Sequence, residues 1–154
     1  MAAAGGACYN ENPSPFGAKH SGEGLSTRRE GCSGMAIVER SVEMTVTVIT
    51  RNRARILGQC LRGLADQSLD PSRYEIVVVD DASTDDTTAV IAAAQQQARC
   101  QIRAFRLSEH RGLSAVRNRS IREARGAVIV FVDSDGLVAP SFLSVHLAAH
   151  QASR

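Results

Sequence analysis

Two short apolar runs in this chain end abruptly in carboxylates. Ile76 to Val79 runs into Asp80-Asp81, and Val128 to Val132 runs into Asp133-Ser134-Asp135. Runs of this length and β-branched character read as strands buried on both faces, as in parallel α/β sheets. A buried strand has no use for charge at its end, because an unpaired carboxylate is costly to desolvate. Two such strands side by side would gather four acids at one sheet edge, where open α/β folds bind ligands. A cation or a donor-rich ligand is the expected complement.

The flanking pattern fits that class. Thr45 to Thr50 is a β-branched strand, and Arg53 to Ser68 reads as a helix with Ile56, Leu57, Cys60, Leu61 and Leu64 on one face. Tyr74 to Val79 is the second strand. Ser83 or Thr84 caps the next helix, with Asp85 and Asp86 favouring its dipole, and the helix runs to about Ala98. Gln101 to Leu107 is a third strand nearer an edge. Leu113 to Arg125 is a third helix stopped by Gly126, and Ala127 to Val132 a fourth strand. Pro140 opens a last helix toward His150. The order βαβαβαβα with short connections predicts a doubly wound, mostly parallel, Rossmann-like sheet. Residues 44–154 form that unit. Residues 1–43, rich in Gly, Ser, Pro and Asn, read as a disordered leader.

Composition narrows the classes further. Eighteen basic and sixteen acidic residues leave a net charge of +2, and Trp is absent, which argues against a nucleic-acid platform. Cys8, Cys32, Cys60 and Cys100 form no CxxC pair, so free thiols in a reducing cytoplasm are expected rather than zinc or a disulfide frame. No apolar stretch has the length of a membrane span. The expected location is cytoplasmic, including attachment to the inner face of a membrane.

Asp133 and Asp135 stand one residue apart, where alternate side chains point the same way. Such a pair suits Mg²⁺ or Mn²⁺, which takes oxygen ligands and keeps waters and phosphates. The competing reading is a turn whose acids cap the next segment. Asp80 and Asp81 can likewise cap a helix or accept hydrogen bonds from a base or ribose. Arg117 and Asn118 are polar neighbours of Leu113 and Val116, and arginine suits phosphate or a planar base. His146 and His150, four apart on the last helix, lack a third ligand and read as surface residues.

Four segments in order, Val46 to Arg53, Glu75 to Thr87, Arg111 to Arg119 and Val130 to Asp135, together resemble the family 2 glycosyltransferases. The resemblance covers about residues 45 to 145. It implies a GT-A fold, a nucleotide-diphosphate sugar donor, an unknown hydroxyl acceptor and a divalent metal, Mg²⁺ or Mn²⁺. By the same resemblance Asp81 would bond the nucleobase, with Asp80 supporting its loop, and Ile49, Thr50 and Arg51 would line the base and ribose pocket. Arg117 would lie near base or diphosphate, Asp133 would contact the ribose or the metal's water, and Asp135 would ligate the metal. Ile49-Thr50-Arg51-Asn52 stands where the family often has Pro-Thr-Tyr-Asn, so Arg51 takes the place of an aromatic stacking surface. The family's catalytic base lies well downstream of the DxD motif. It is therefore expected beyond Arg154, with this chain supplying the donor-binding half of an inverting enzyme, truncated after the fourth strand and its helix. Two alternatives remain: a non-catalytic nucleotide-binding fragment, and a haloacid-dehalogenase-like phosphatase fragment with Asp133 as nucleophile and Asp135 as acid.

Overall fold

The computed structural model describes residues 42–153. The expected leader, with Cys8 and Cys32, lies almost wholly outside them. Four strands, β1 (Met44–Thr50), β2 (Tyr74–Asp80), β3 (Gln101–Arg106) and β4 (Val128–Asp133), form one sheet in the order β3-β2-β1-β4. Every neighbouring pair is parallel. The helices are α1 (Ala54–Ala65), α2 (Thr87–Gln97), α3 (Leu113–Glu123) and α4 (Phe142–Ala152). The α/β, Rossmann-like reading holds, and β3 lies at an edge as its weaker pattern suggests.

The acid-tipped strands are not adjacent. β1 separates them, with Thr50 in register with Asp80 and Ile49 with Asp133. The edge is therefore broader than two neighbouring strands would make it, and the end of β1 becomes its middle.

The two faces are covered unequally. Met44, Val46 and Val48 of β1, with Ile76 and Val78 of β2, pack against Leu57, Cys60, Leu61 and Leu64 of α1, Ile91 of α2 and Leu143 and Leu147 of α4. On the opposite face Val77, Val79 and Phe105 meet Val116 of α3. That helix lies over β2 and β1. β2 is buried throughout, but β4 is not, and Phe131 on its α3-side face is 42% exposed. β4 thus departs from the expected strand buried on both faces. Ile56, expected in the α1 stripe, is also exposed.

Three element boundaries differ from expectation for local reasons. α2 starts at Thr87 rather than near Ser83, because the Ser83 hydroxyl is bonded to Asp80 while Asp85 accepts from the Thr87 N–H and hydroxyl. α4 starts at Phe142, after a turn containing Pro140. α3 ends at Glu123 with extended backbone at Ala124, so Gly126 is not its stop. Gly126 instead permits close approach: a Cβ there would lie 2.5 Å from backbone atoms of Met44 and Thr45.

That approach closes the N-terminal end of the sheet around Glu75, which is fully buried. Glu75 Oε1 accepts from the Thr45 hydroxyl at 2.9 Å and the Arg125 N–H at 3.0 Å, and Oε2 accepts from Arg103 Nη1 at 3.1 Å. Arg103 Nη1 also donates to the Glu123 carbonyl at 2.7 Å, and Thr45 Oγ1 accepts from the Gly126 N–H. A buried carboxylate is tolerable under such saturation.

Candidate functional site

At the opposite end the strands run into loops that are tied to one another. Asn52 and Ala82, in the loops after β1 and β2, have φ of +50° and +55°. Asparagine tolerates the left-handed region, whereas alanine there is strained, a cost that usually marks a geometry kept for function. The Ser83 hydroxyl oxygen accepts from the Asn52 N–H at 2.8 Å, and Asn52 Oδ1 accepts from the Thr84 N–H at 2.7 Å. Asp85 Oδ2 accepts from the Ala54 N–H at the start of α1. The two loops therefore form one braced edge.

Within it Asp80 and Asp81 point to different tasks. Asp80 is fully buried, and its Oδ1 accepts from the Ser83 N–H and hydroxyl. Its Oδ2 lies 3.7 Å from Arg106 Nε, while Arg106 Nη2 donates to the Ser83 carbonyl. Asp80 braces the loop from behind. Asp81 faces forward, with Oδ1 accepting from the Arg111 N–H at 2.8 Å and Oδ2 from the Gly112 N–H at 3.1 Å. His110 Nδ1 lies 2.6 Å from the same Oδ2. Burial alone would raise the Asp81 pKa. The Arg111 N–H, the His110 ring and the Gly112 N–H outweigh it and hold the group below the usual carboxylate range. A carboxylate oxygen can accept more than one bond, so Oδ1 retains capacity for a further donor.

In front of this edge is a cleft of about 490 Å³. Its lining includes Ile49, Thr50 and Arg51 from the end of β1, Asp81 from the end of β2, and Asp133, Ser134 and Asp135 from the end of β4. Arg117 and Leu113 of α3 form a wall, and Phe131 with Thr47 extends the surface down the open face of the sheet. The Arg117 guanidinium lies 5.4 Å from the Phe131 ring centre, a cation–π distance. Seven of the eight sequence-chosen site residues thus line one cleft. Asp80 does not line it.

Arg53 and His110 also line the cleft. Neither has a role assigned from the sequence. Arg53 Nη1 donates to Asp135 Oδ2 at 2.8 Å, a contact between residues 82 positions apart. His110 depends equally on a fold-made meeting, with Asp81. Neither meeting leaves a local sequence signal beyond a charged residue beside a motif. Thr47 and Thr50 hydroxyls are buried with no hydrogen-bond partner among the described residues. Such groups cost stability, so their presence at a cleft suggests a use other than folding.

The β4 end has the chemistry of a hard-cation site. Asp133 and Asp135 flank buried Ser134, and the Asp133 carbonyl accepts from the Gly136 N–H in the turn that follows. The Asp133 carboxylate accepts no hydrogen bond and joins no ion pair among the described residues. Beneath it, Cys60 Sγ lies 3.5 Å from the Asp133 carbonyl. Burial, then the charges of Asp135 and Asp133, push the Cys60 thiol up to about 11. It stays protonated and unreactive there. No group of three His, Cys, Asp or Glu side chains among the described residues is placed to hold a metal. Two carboxylates with free oxygens fit Mg²⁺ or Mn²⁺ when phosphate oxygens and water complete the shell. No helix among the described residues is long and apolar enough to cross a membrane.

Comparison with known proteins identifies the family. Residues 45–154 match the model of the family described as Glycosyl transferase family 2. The uncharacterized glycosyltransferase YfnE of Bacillus subtilis (strain 168) is 41% identical over 46 residues, which are 30% of this chain and 12% of that protein. S. aureus TarS 1–349 in complex with UDP-GlcNAc superposes with a TM-score of 0.67 at 28% identity, over 72% of this chain and 32% of that one. The mannosyltransferase PcManGT from Pyrobaculum calidifontis, in complex with GDP-Man and Mn²⁺, superposes with a TM-score of 0.64 at 30% identity, over 66% of this chain and 30% of that one. The chain spans about a third of the length of these solved relatives.

Proposed function

The chain belongs to glycosyl transferase family 2, and on that premise we propose that its acid-lined cleft binds a nucleotide-diphosphate sugar together with a divalent cation, as the donor side of an inverting sugar transfer. The observation that carries this reading is the mixture of charges at the cleft. Asp133 and Asp135 stand at one end with oxygens to spare, while Arg51, Arg53 and Arg117 line the same space. Carboxylates alone would repel a diphosphate, and arginines alone would not need the acids. A diphosphate held between a cation and guanidinium groups uses both.

The roles divide along the edge. Asp81 accepts an N–H of the base through Oδ1, and Asp80 keeps the Asp81 loop in place. Ile49, Thr50 and Arg51 form the base and ribose wall, with Arg51 able to stack on the base. Arg117 approaches the base or diphosphate, and Asp133 lies toward the ribose. Asp135, with Asp133, holds Mg²⁺ or Mn²⁺. The cation supplies charge neutralisation for the departing nucleoside diphosphate. In the full reaction an acceptor hydroxyl, deprotonated by a base, bonds to sugar C1 as the bond from C1 to the diphosphate oxygen breaks. None of the four strand-end acids is that base in this reading: Asp81, Asp133 and Asp135 are committed to the donor, and Asp80 is buried behind the Asp81 loop. The phosphatase alternative for Val132 to Gly136 is set aside, since the family match takes in that whole segment.

Calorimetry of the full chain against UDP and GDP, with and without Mn²⁺, tests the proposal. Binding of at least one of them, strengthened by Mn²⁺, is expected. Absence of binding to both, with and without metal in folded protein, would sink the donor-site reading.

A further inference from the structure

Arg53 occupies an odd position for a cation. It is the N-cap residue of α1, its carbonyl accepting from the Ile56 and Leu57 N–H groups, so its backbone is fixed while its side chain is half exposed. The N-terminus of a helix carries partial positive charge, and α1 has no acidic residue in its first turn. A guanidinium there is unfavourable unless an anion meets it. Asp85 already accepts from the Ala54 N–H at the helix start, and the guanidinium itself is met by Asp135, at 2.8 Å with both side chains about half exposed. Exposed pairs of this kind contribute little and exchange readily.

Asp135 is also one of only two carboxylates offered at the β4 end of the cleft. A divalent cation arriving alone would find no third His, Cys, Asp or Glu ligand among the described residues and one oxygen of Asp135 already bonded to Arg53. A cation arriving with a diphosphate brings its missing oxygen ligands along. The same diphosphate gives Arg53 a partner of higher charge and matching fork geometry.

From these contacts, and resting on the donor-site reading above, we propose that Arg53 exchanges partners: it holds Asp135 in the donor-free chain and moves onto the donor's diphosphate when the cation takes Asp135. Arg53 thereby makes cation binding depend on the nucleotide. It is a positioning residue at Asp135 before binding and a ligand-binding residue after it.

Mn²⁺ binding read by electron paramagnetic resonance without nucleotide, and by calorimetry with whichever of UDP and GDP the unaltered chain binds, separates the two halves. Arg53→Gln should bind Mn²⁺ alone about two- to fivefold more tightly, the scale of an exposed ion pair. The same variant should bind the nucleotide with Mn²⁺ about tenfold more weakly, as loss of a charge-assisted hydrogen bond predicts. Arg53→Lys, which keeps the charge, should restore Mn²⁺ affinity toward the original value while recovering nucleotide binding only in part. In an Asp135→Asn background, Arg53→Gln should leave Mn²⁺ affinity unchanged. If Arg53→Gln shifts neither affinity, or weakens Mn²⁺ alone, the exchange is overturned and the donor site stands. If the unaltered chain binds neither nucleotide, the donor site falls and the exchange with it.

Discussion

Glu75 at the N-terminal end of this sheet and the two acids at the tip of β4 are treated in opposite ways. At the N-terminal end Glu75 is completely buried, yet Thr45, Arg103 and the Arg125 N–H satisfy both of its oxygens. At the tip of β4 Asp133 and Asp135 are exposed, and among the described residues they make one ion pair between them, with Arg53. Charge buried and saturated locks the chain to itself. Charge exposed and undersupplied is available to something else. The same residue class is structural at Glu75 and proposed to be functional at Asp133 and Asp135, and the difference lies in the partners rather than in the acid.

The sharpest way to break that contrast is Glu75→Ala. It leaves Arg103 without its buried partner, and denaturant unfolding should show a loss of about 3–5 kcal/mol. Nucleotide affinity per folded molecule should be unchanged, and a loss of binding with stability intact would erase the distinction. The mirror experiment is Asp135→Ala. Mn²⁺-dependent nucleotide binding should fall about a hundredfold if two carboxylates are the only protein ligands, while the unfolding midpoint moves little because the lost pair is exposed. A large stability change would show Asp135 to be another Glu75.

Asp81 should fall between the two, since it braces the Arg111–Gly112 loop and faces the cleft at once. Asp81→Asn should weaken nucleotide binding about tenfold and also destabilise the fold modestly, as expected when a carboxylate bonded to backbone N–H groups loses its charge. Its pKa is held below the ordinary aspartate value by the Arg111 and Gly112 N–H groups and the His110 ring, against the upward pull of burial. The stability contributed by its ionised form is therefore present above the unfolded value and lost as pH falls through the lower folded value. Melting temperatures in acid should show the original chain losing this contribution below about pH 4 and Asp81→Asn lacking that component.

Much of the fold was legible because β-branched runs and their terminal acids are local patterns. The strand set, the parallel architecture and the position of β3 at an edge follow from them. What local pattern could not carry is adjacency. β1 inserts between the two acid-tipped strands, so the acids span three strands instead of two. α2 begins late because Ser83 bonds to Asp80 and Asn52 while Asp85 accepts from the Thr87 N–H and hydroxyl, and nothing within Ser83-Thr84-Asp85-Asp86 distinguishes those assignments. Gly126 looks like a helix stop in sequence, yet its absent side chain is needed for backbone contact with β1. At the site, the strand-end residues were found by motif, whereas the Arg53–Asp135 and His110–Asp81 contacts depend on tertiary folding. Glu75 escaped notice because a lone acid in an apolar run carries no sign of the partners that make its burial tolerable.

The ties between the loops after β1 and β2 bear on how fast a ligand can be captured. With Asn52, Ser83, Thr84 and Asp85 already bonded across the gap, little of the protein remains to be ordered when a ligand arrives. An edge built in this way answers to encounter frequency more than to loop rearrangement. With three arginines and three aspartates lining the cleft, added viscosity would slow capture more than added salt, and neither would change the shape of the edge.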